Sequence, residues 1–465
     1  MNRIVYILVF ALALPLSAKA QPEHLTLEKC REMAIETNLN LKSSQEKIFA
    51  SEDMFKAYKS NNRPKISLSG NYLYSTASLN MTLDGGYLPT FTPDLTTGEM
   101  IPNIVGYASD GSAIFSSYAY SPDINLDLKV GSVFNTSVML AQPIYMGGKI
   151  KTATRLAKVG VEASKIERIR TESEVIVAAD EAFYTYLKVE EILRSADAYR
   201  RVVDEFQRQV ESLLERGMCT KNDLLKVEVR TNEAKLQQLK ARNGLTLARM
   251  NLCYVIGLPL TTRELTVVDE FDLQDNIDPS LDITRRPEYT LLAKNIEAKE
   301  LEVLLAESDF KPSISALASY GYTNGLTFNS STLMNNTTFT GGVMLNIPIF
   351  NWGEGRRKVS AARREVKMAE NTKEDLELKM TLELMQSINA YNEARAEVSL
   401  MEDTLLQAEE NLRQSEKLYL SGMETLSEYL EAQAIWQKAM SDLIESKSNQ
   451  RLAHIRYNRS RGVLK

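Results

Sequence analysis

The sequence predicts an α+β membrane protein, internally duplicated, in which four short β-strands per chain meet lipid and long helical hairpins make up most of the rest. Three observations carry this. An export signal opens the chain, yet no later helix-length apolar run follows it. A set of residues recurs at fixed offsets. Two proline-free stretches, residues 144–258 and 349–465, run for 115 and 117 residues.

Taken in order, Arg3 is a short positive start and residues 4–16 (IVYILVFALALPL) form an apolar core too short to span a bilayer as a helix. Ala18, Lys19 and Ala20 supply a small-x-small pattern, so residues 1–20 are read as a secretory signal peptide cut before Gln21. Cleavage removes two bases and no acid, taking the net charge from −6 to −8. No cysteine stands at the new terminus, so no lipid anchor is expected there. Three cysteines, Cys30, Cys219 and Cys253, leave at least one unpaired, which argues against a disulfide framework.

The duplication organises everything that follows. Ile48, Pro64, Ile66, Tyr72 and Tyr74 recur as Ile296, Pro312, Ile314, Tyr320 and Tyr322, each 248 residues on. Phe134, Pro143, Gly148, Tyr186, Gly217, Met218, Leu225 and Gly257 recur 205 residues on, as Phe339, Pro348, Gly353, Tyr391, Gly422, Met423, Leu430 and Gly462. The difference of 43 falls between Tyr74 and Phe134, where the first copy carries an insertion. The first repeat is placed at 21–258, a linker or equatorial segment at 259–286, and the second repeat at 287–465.

Each repeat reads as a helix, two strands and a very long helical hairpin. Residues 65–74 (KISLSGNYLY) alternate apolar and polar, as do their copy and a face of Phe339, Val343, Leu345, Ile347 and Ile349. Strands are expected at about 64–75, 131–143, 312–323 and 338–350. Their length is near the roughly 9–11 residues that cross a bilayer as a tilted strand. The insertion between Tyr74 and Val133 is expected to be an outer loop, with residues 323–336 as its short partner. Hairpins are expected at 147–256 and 353–461. Ala394, Val398, Met401, Leu405, Ala408 and Leu412 step 4,3,4,3,4, the narrow seam of a coiled coil. The hairpin tips fall near 217–223 and 422–428. Gly217 and Gly422 suit helix C-termini. Thr425 and Glu428 form a capping box, and Thr220 and Asp223 its looser counterpart.

Four strands cannot close alone in lipid, because open edges leave backbone groups unpaired. Two chains would give eight strands and three would give twelve, the latter wide enough for a lumen. Composition excludes other classes. Only His24 and His454 are present, no CxxC pair occurs, and no nucleophile elbow or phosphate loop is found, so neither an enzyme nor a cofactor or metal site is expected. Fifty-five bases against 61 acids give no pull toward nucleic acid. A fibrous coiled coil would explain the heptads but not four duplicated alternating strands.

The opening LTLEKCREMAIETNLNLK (25–42), the RPEY at 286–289, the strand exits QPIYMGGK (142–149) and IPIFNWGEG (347–355), and the tips RGMCTKNDLLKV (216–227) and SGMETLSEYLEA (421–432) together resemble the TolC-like outer membrane factors, the outer membrane efflux protein family. The resemblance implies a homotrimer with one shared 12-stranded barrel in outer membrane lipid, continued by a long α-helical coiled-coil tunnel across the periplasm. It implies a periplasmic adaptor (membrane fusion) protein and an inner membrane pump as partners. The implied role is the exit duct of a tripartite efflux system, or alternatively of a type I protein secretion system. It also implies two sites. Gly217, Met218, Thr220, Asp223, Gly422, Met423 and Thr425 would dock the adaptor in addition to capping helices. Tyr419, Glu424, Glu428 and Glu431 would form a periplasmic gate. Tyr419, Glu428 and Glu431 match the family's tyrosine and acids there. Glu424 stands where the best-known member has an arginine, which puts the inter-helix ion pair in doubt. Six carboxylates from three chains would repel one another, favour cations and raise some carboxyl pKa values. Otherwise the acids are a solvated helix face.

Overall fold

The computed structural model describes residues 24–263, 265–268 and 277–464; the signal-peptide reading and Gln21 lie outside the described residues. In chain order the elements are β1 (His24–Leu25), α1 (Leu27–Thr37), α2 (Leu39–Ser60) and β2 (Lys65–Leu83). The insertion holds six short strands: β3 (Gly86–Pro89), β4 (Phe91–Pro93), β5 (Met100–Pro102), β6 (Ile104–Tyr107), β7 (Ala113–Phe115) and β8 (Tyr118–Ser121). Then come β9 (Ile124–Met146), α3 (Lys149–Glu215), α4 (Lys221–Ile256) and β10 (Thr266–Val267). The second copy is α5 (Pro287–Ser308), β11 (Ser313–Phe328), β12 (Ser331–Asn346), α6 (Glu354–Leu420) and α7 (Leu426–Arg461). The duplication reaches helix length: α3 and α6 are both 67 residues, and α4 and α7 both 36. At 1.5 Å per residue the longer pair measure about 100 Å.

The chain divides into two compact units. One holds residues 56–155 and 302–360, the other 156–301 and 361–465 together with the described part of the N-terminal segment up to Phe55.

The first of these is built on an antiparallel four-stranded sheet in the order β12-β11-β9-β2. Register puts Ile66, Leu68 and Tyr72 opposite Leu140, Val138 and Phe134. Val138 and Leu140 face Tyr320 and Ala318, and Tyr320 faces Phe339. Paired residues lie on one side of a sheet, so these form a continuous apolar face. Its members are exposed, with Ile66 at 74%, Leu68 at 76% and Phe339 at 71%. The opposite face is polar: Asn71, Asn135, Thr323 and Asn336 lie in one register line. The Asn135 amide donates to Thr323 Oγ1 at 3.0 Å, and the Ser69 and Ser137 hydroxyls meet at 2.9 Å. Such a sheet offers lipid one face and water the other. Among the described residues, no strand pairs with the outer edge of β2 or of β12.

The strands differ in length from the alternating segments. β2 runs on to Leu83 and β9 begins at Ile124, because Leu79, Met81 and Leu83 keep pairing, with Leu128, Leu126 and Ile124. The loop is therefore residues 84–123, in which β3 and β8 pair as a two-stranded ladder around two small hairpins, β4–β5 and β6–β7. The loop expected at 323–336 shrinks to Asn329 and Ser330, both at positive φ (46° and 65°), a two-residue turn that matches strand twist. β12 stops at Asn346, so Ile347 and Ile349 lie beyond the sheet, near Pro348.

The second unit is helical. Its main core gathers Leu25, Cys30, Val177, Phe183, Tyr184, Leu252, Ile256 and Ile455. β1 pairs in parallel with β10. Arg31 of α1 donates two hydrogen bonds, from Nε and Nη2, to Asp180 of α3, each at 2.6 Å. All three cysteines are free thiols, and burial, with the nearby Asp180 charge, pushes the Cys30 thiol up to about 12.

Duplication also governs how α4 and α7 end. Gly257 (φ 76°) and Gly462 (φ 71°) are left-handed C-caps. A Cβ on Gly257 would stand 2.5 Å from the Thr37 side chain, and one on Gly462 would stand 2.8 Å from the Arg285 backbone. Thr37 and Arg285 are themselves 248 residues apart, so the same crossing is built twice. Gly217 and Gly422 share the positive φ but have nothing within 4 Å. Gly462→Ala is therefore expected to lower stability by more than about 2 kcal/mol, whereas Gly422→Ala should cost only the conformational strain of about 1 kcal/mol. Thermal unfolding of the two variants in detergent checks this, and equal shifts would refute it.

Candidate functional site: the paired hairpin tips

The four long helices of the second unit meet at their tips. Phe206 and Val210 of α3, Leu224 and Val227 of α4, and Leu426, Tyr429 and Leu430 of α7 form one buried cluster, with Leu412 and Tyr419 of α6 and Cys219 packed against it. Lys226 Nζ donates to Ser427 Oγ at 3.4 Å, one polar tie between the hairpins.

Each tip is made in the same way. Gly217 N–H donates to Leu214 O at 2.9 Å and Met218 N–H to Leu213 O at 2.8 Å. Gly422 N–H donates to Tyr419 O at 3.0 Å and Met423 N–H to Leu418 O at 2.9 Å. This 6→1 and 5→2 pattern closes a helix on a left-handed glycine. Two residues on, the next helix is capped. Thr425 N–H and Oγ1 both donate to Glu428 Oε2 at 2.7 Å, and Glu428 N–H donates back to Thr425 Oγ1 at 3.3 Å. Thr220 and Asp223 make the same reciprocal box, at 3.0, 2.7 and 3.2 Å. The first tip is thus no looser than the second: aspartate at the third helical position reaches the cap as glutamate does. Hydrogen bonds from Thr220 and Thr425 hold both carboxyls below their usual range.

This closure turns one side chain outward at each apex. Met218 is 71% exposed and Met423 78% exposed, although both follow a helix rich in buried apolar groups. Sequence pattern alone gave no sign of that outward turn; it follows from the left-handed glycine before each methionine.

The four residues expected to form a gate are brought to one tip but not to one surface. Glu431 is exposed. Glu428 is exposed too, but its carboxylate is committed to the cap, and its pKa moves down, opposite to the effect of like-charge repulsion. Glu424 is half-buried and accepts from Ser415 Oγ at 2.7 Å, tying the loop back onto α6. Its other oxygen is buried without a hydrogen bond among the described residues. Tyr419 stacks on Tyr429, with ring centroids 5.5 Å apart and planes 9° apart, and meets Phe206 edge-on at 5.6 Å. Burial pushes its phenol up. Phe206 and Tyr429 anchor the tip as firmly as any residue singled out from sequence, and their apolar spacing on α3 and α7 was the signal for them.

Comparison with known proteins adds to this geometry. Residues 31–258 and 280–462 match the family model described as outer membrane efflux protein. The alkaline protease secretion protein AprF of Pseudomonas aeruginosa is 26% identical over 309 residues, covering 64% of this chain and 63% of that protein. The proteases secretion protein PrtF of Dickeya chrysanthemi is 23% identical over 292 residues, 60% of this chain and 63% of that protein. The chain thus spans under two thirds of the length of either curated relative. The crystal structure of the Campylobacter jejuni CmeC outer membrane channel superposes with a TM-score of 0.69 at 18% identity, covering 94% of this chain and 85% of that one.

Proposed function

The chain belongs to the outer membrane efflux protein family, and from that premise we propose that it is the outer-membrane exit duct of a tripartite export assembly, reaching into the periplasm and passing small molecules outward. The observation that carries this reading is the sheet, with its continuous apolar face, its polar face and its two unpaired edges. In lipid those edges require strands from other chains. Three copies give twelve strands, enough for a water-filled lumen lined by the polar face. The four long helices of each chain then continue the duct, and the tips are where an adaptor and, through it, an inner membrane pump would engage. Protein export of the type I kind is the second reading, favoured by the protease-secretion names of both curated relatives.

Reconstitution in a planar bilayer tests the duct. Trimers of the purified chain should conduct, prefer cations and be blocked by multivalent cations. Replacing Glu428 and Glu431 by alanine should weaken both properties. Glu431 should carry the larger part, because Glu428 is held in its cap. A chain that inserts without conducting would refute the duct. Unchanged selectivity and block in the double variant would make these acids a solvated face. An export assay with the chain deleted separates the two cargo readings: retained small toxic compounds support efflux, and retained secreted protein supports the second.

A further inference from the structure

We propose that the sheet unit carries a basic collar that binds the phosphate headgroups of anionic phospholipid in the inner leaflet of the outer membrane. The proposal rests on the membrane reading above and adds a ligand class to it. Charge within this unit is sorted along the strands. Residues 66–83, 130–148 and 312–353 contain no charged side chain at all. Beyond the loop-side ends, residues 84–129 hold six acids and a single base, Lys129. Beyond the helix-side ends, residues 56–65, 149–155, 302–311 and 354–358 hold eleven bases and four acids.

Pairing sharpens the contrast. The four acids are all engaged: Asp309 with Lys149 at 2.7 Å, Glu354 with Lys358 at 2.6 Å, Glu307 with Lys311 at 3.9 Å, and Glu302 elsewhere. Lys59, Arg63, Lys151, Arg155, Arg356 and Arg357 are exposed and make no ion pair among the described residues. A cavity of about 760 Å³ opens on the polar side of the sheet, and from α3 it takes Lys149, Ile150 and Ala153. Lys151 and Arg155, at 100° per residue, fall on the other face of α3, away from that cavity. At the helix-side end of the uncharged band, next to the bases, lie exposed aromatics. Tyr145 pairs with Ile314 on the apolar face, and Phe350 (69% exposed) packs edge-on against Trp352 (88% exposed) with centroids 5.0 Å apart. Apolar band, aromatic ring and unpaired bases in that order are the profile of a chain crossing hydrocarbon, interface and headgroups. Within the sheet unit of this net negative protein, the unpaired positive charge sits where an anionic leaflet would neutralise it.

The test reconstitutes the full chain into bilayers of equal phosphatidylglycerol and phosphatidylcholine, extracts trimers in mild detergent and weighs the retained lipid. Each base near an anionic surface changes partition by about fivefold, so the wild-type chain should retain phosphatidylglycerol at least about fivefold over phosphatidylcholine. The variant Lys59→Gln, Arg63→Gln, Lys151→Gln, Arg155→Gln, Arg356→Gln, Arg357→Gln should return to the bilayer ratio. Raising salt should erase the wild-type preference, which keeps the test open should that variant fail to assemble. No preference in the wild type, a preference indifferent to salt, or one retained by the assembled variant would overturn the proposal. So would full displacement by equimolar inorganic phosphate, which would mark a small-anion site. Conductance recorded on the same samples separates the two readings: lipid preference without conductance refutes the duct alone, and conductance without preference refutes the collar alone.

Discussion

Asp180→Ala is expected to destabilise the protein by about 3–5 kcal/mol, because it removes one partner of a buried ion pair and strands the other. Asp180 is fully buried in the middle of α3, and Arg31 is 29% exposed. Burial pushes the Asp180 carboxyl up while the guanidinium pulls it down. Two bonds of 2.6 Å to a planar fork require a carboxylate, so the pair is ionised at neutral pH. Arg31 is the α1 residue that pairs with the buried acid of α3, beside the apolar contacts of Cys30 and Ala34, and breaking that pair should loosen the N-terminal segment. Limited proteolysis should then cut within residues 24–37 of the variant while the wild type resists. The double variant Arg31→Met, Asp180→Leu should recover much of the loss, since an apolar pair of similar volume avoids the desolvation of both charges. Thermal scans of trimers in detergent give the ranking. An alanine variant as stable as the wild type would mean that the pair contributes nothing.

That pair was invisible in the sequence, and the reason is general to this chain. Periodicity reports what repeats locally. It revealed the alternation of Ile66, Leu68, Tyr72 and Tyr74, the coiled-coil seam of α6, and the cap glycines. Internal repetition then gave the order of elements, since a fixed offset survives where each local signal is weak. Contacts between elements 149 residues apart, such as Arg31 with Asp180, follow from tertiary packing and leave no spacing rule behind. The strand ends were missed for a different reason. Leu79, Met81 and Leu83 do alternate, but the polar and small residues of the insertion around them read as loop, and only pairing with β9 fixes them as strand. At the tips, sequence located the residues and structure redistributed their jobs. Glu428 serves the cap, Glu424 the loop and Tyr419 the core, leaving Glu431 as the unengaged acid.

The division of labour at the tips leads to the second large expected effect. On the proposed docking role of the tips, Met218→Glu and Met423→Glu should each abolish export while leaving trimer levels intact. Neither methionine supports the fold: both are more than 70% exposed and lie outside the buried tip cluster. Their backbone N–H groups close the helix ends, and those bonds survive any side-chain change. What the substitution alters is an apolar knob presented at the apex of each hairpin. If the knob enters a pocket of the adaptor, a charge there removes a central contact and buries an unpaired carboxylate. A single such contact is worth about 2 kcal/mol or more, about 30-fold in affinity, and the loss repeats with every tip of the assembly. Met218→Leu and Met423→Leu keep an apolar group of similar size and should export normally. Thr220→Ala and Thr425→Ala, by contrast, should cost about 1 kcal/mol of cap stability and leave docking largely intact. Site-specific crosslinking to the adaptor, with export measured in the same cells, reads both arms. Full export by the glutamate variants at wild-type trimer levels would place docking elsewhere on the helices, and loss of trimers would show that the apex methionines hold the tunnel together instead.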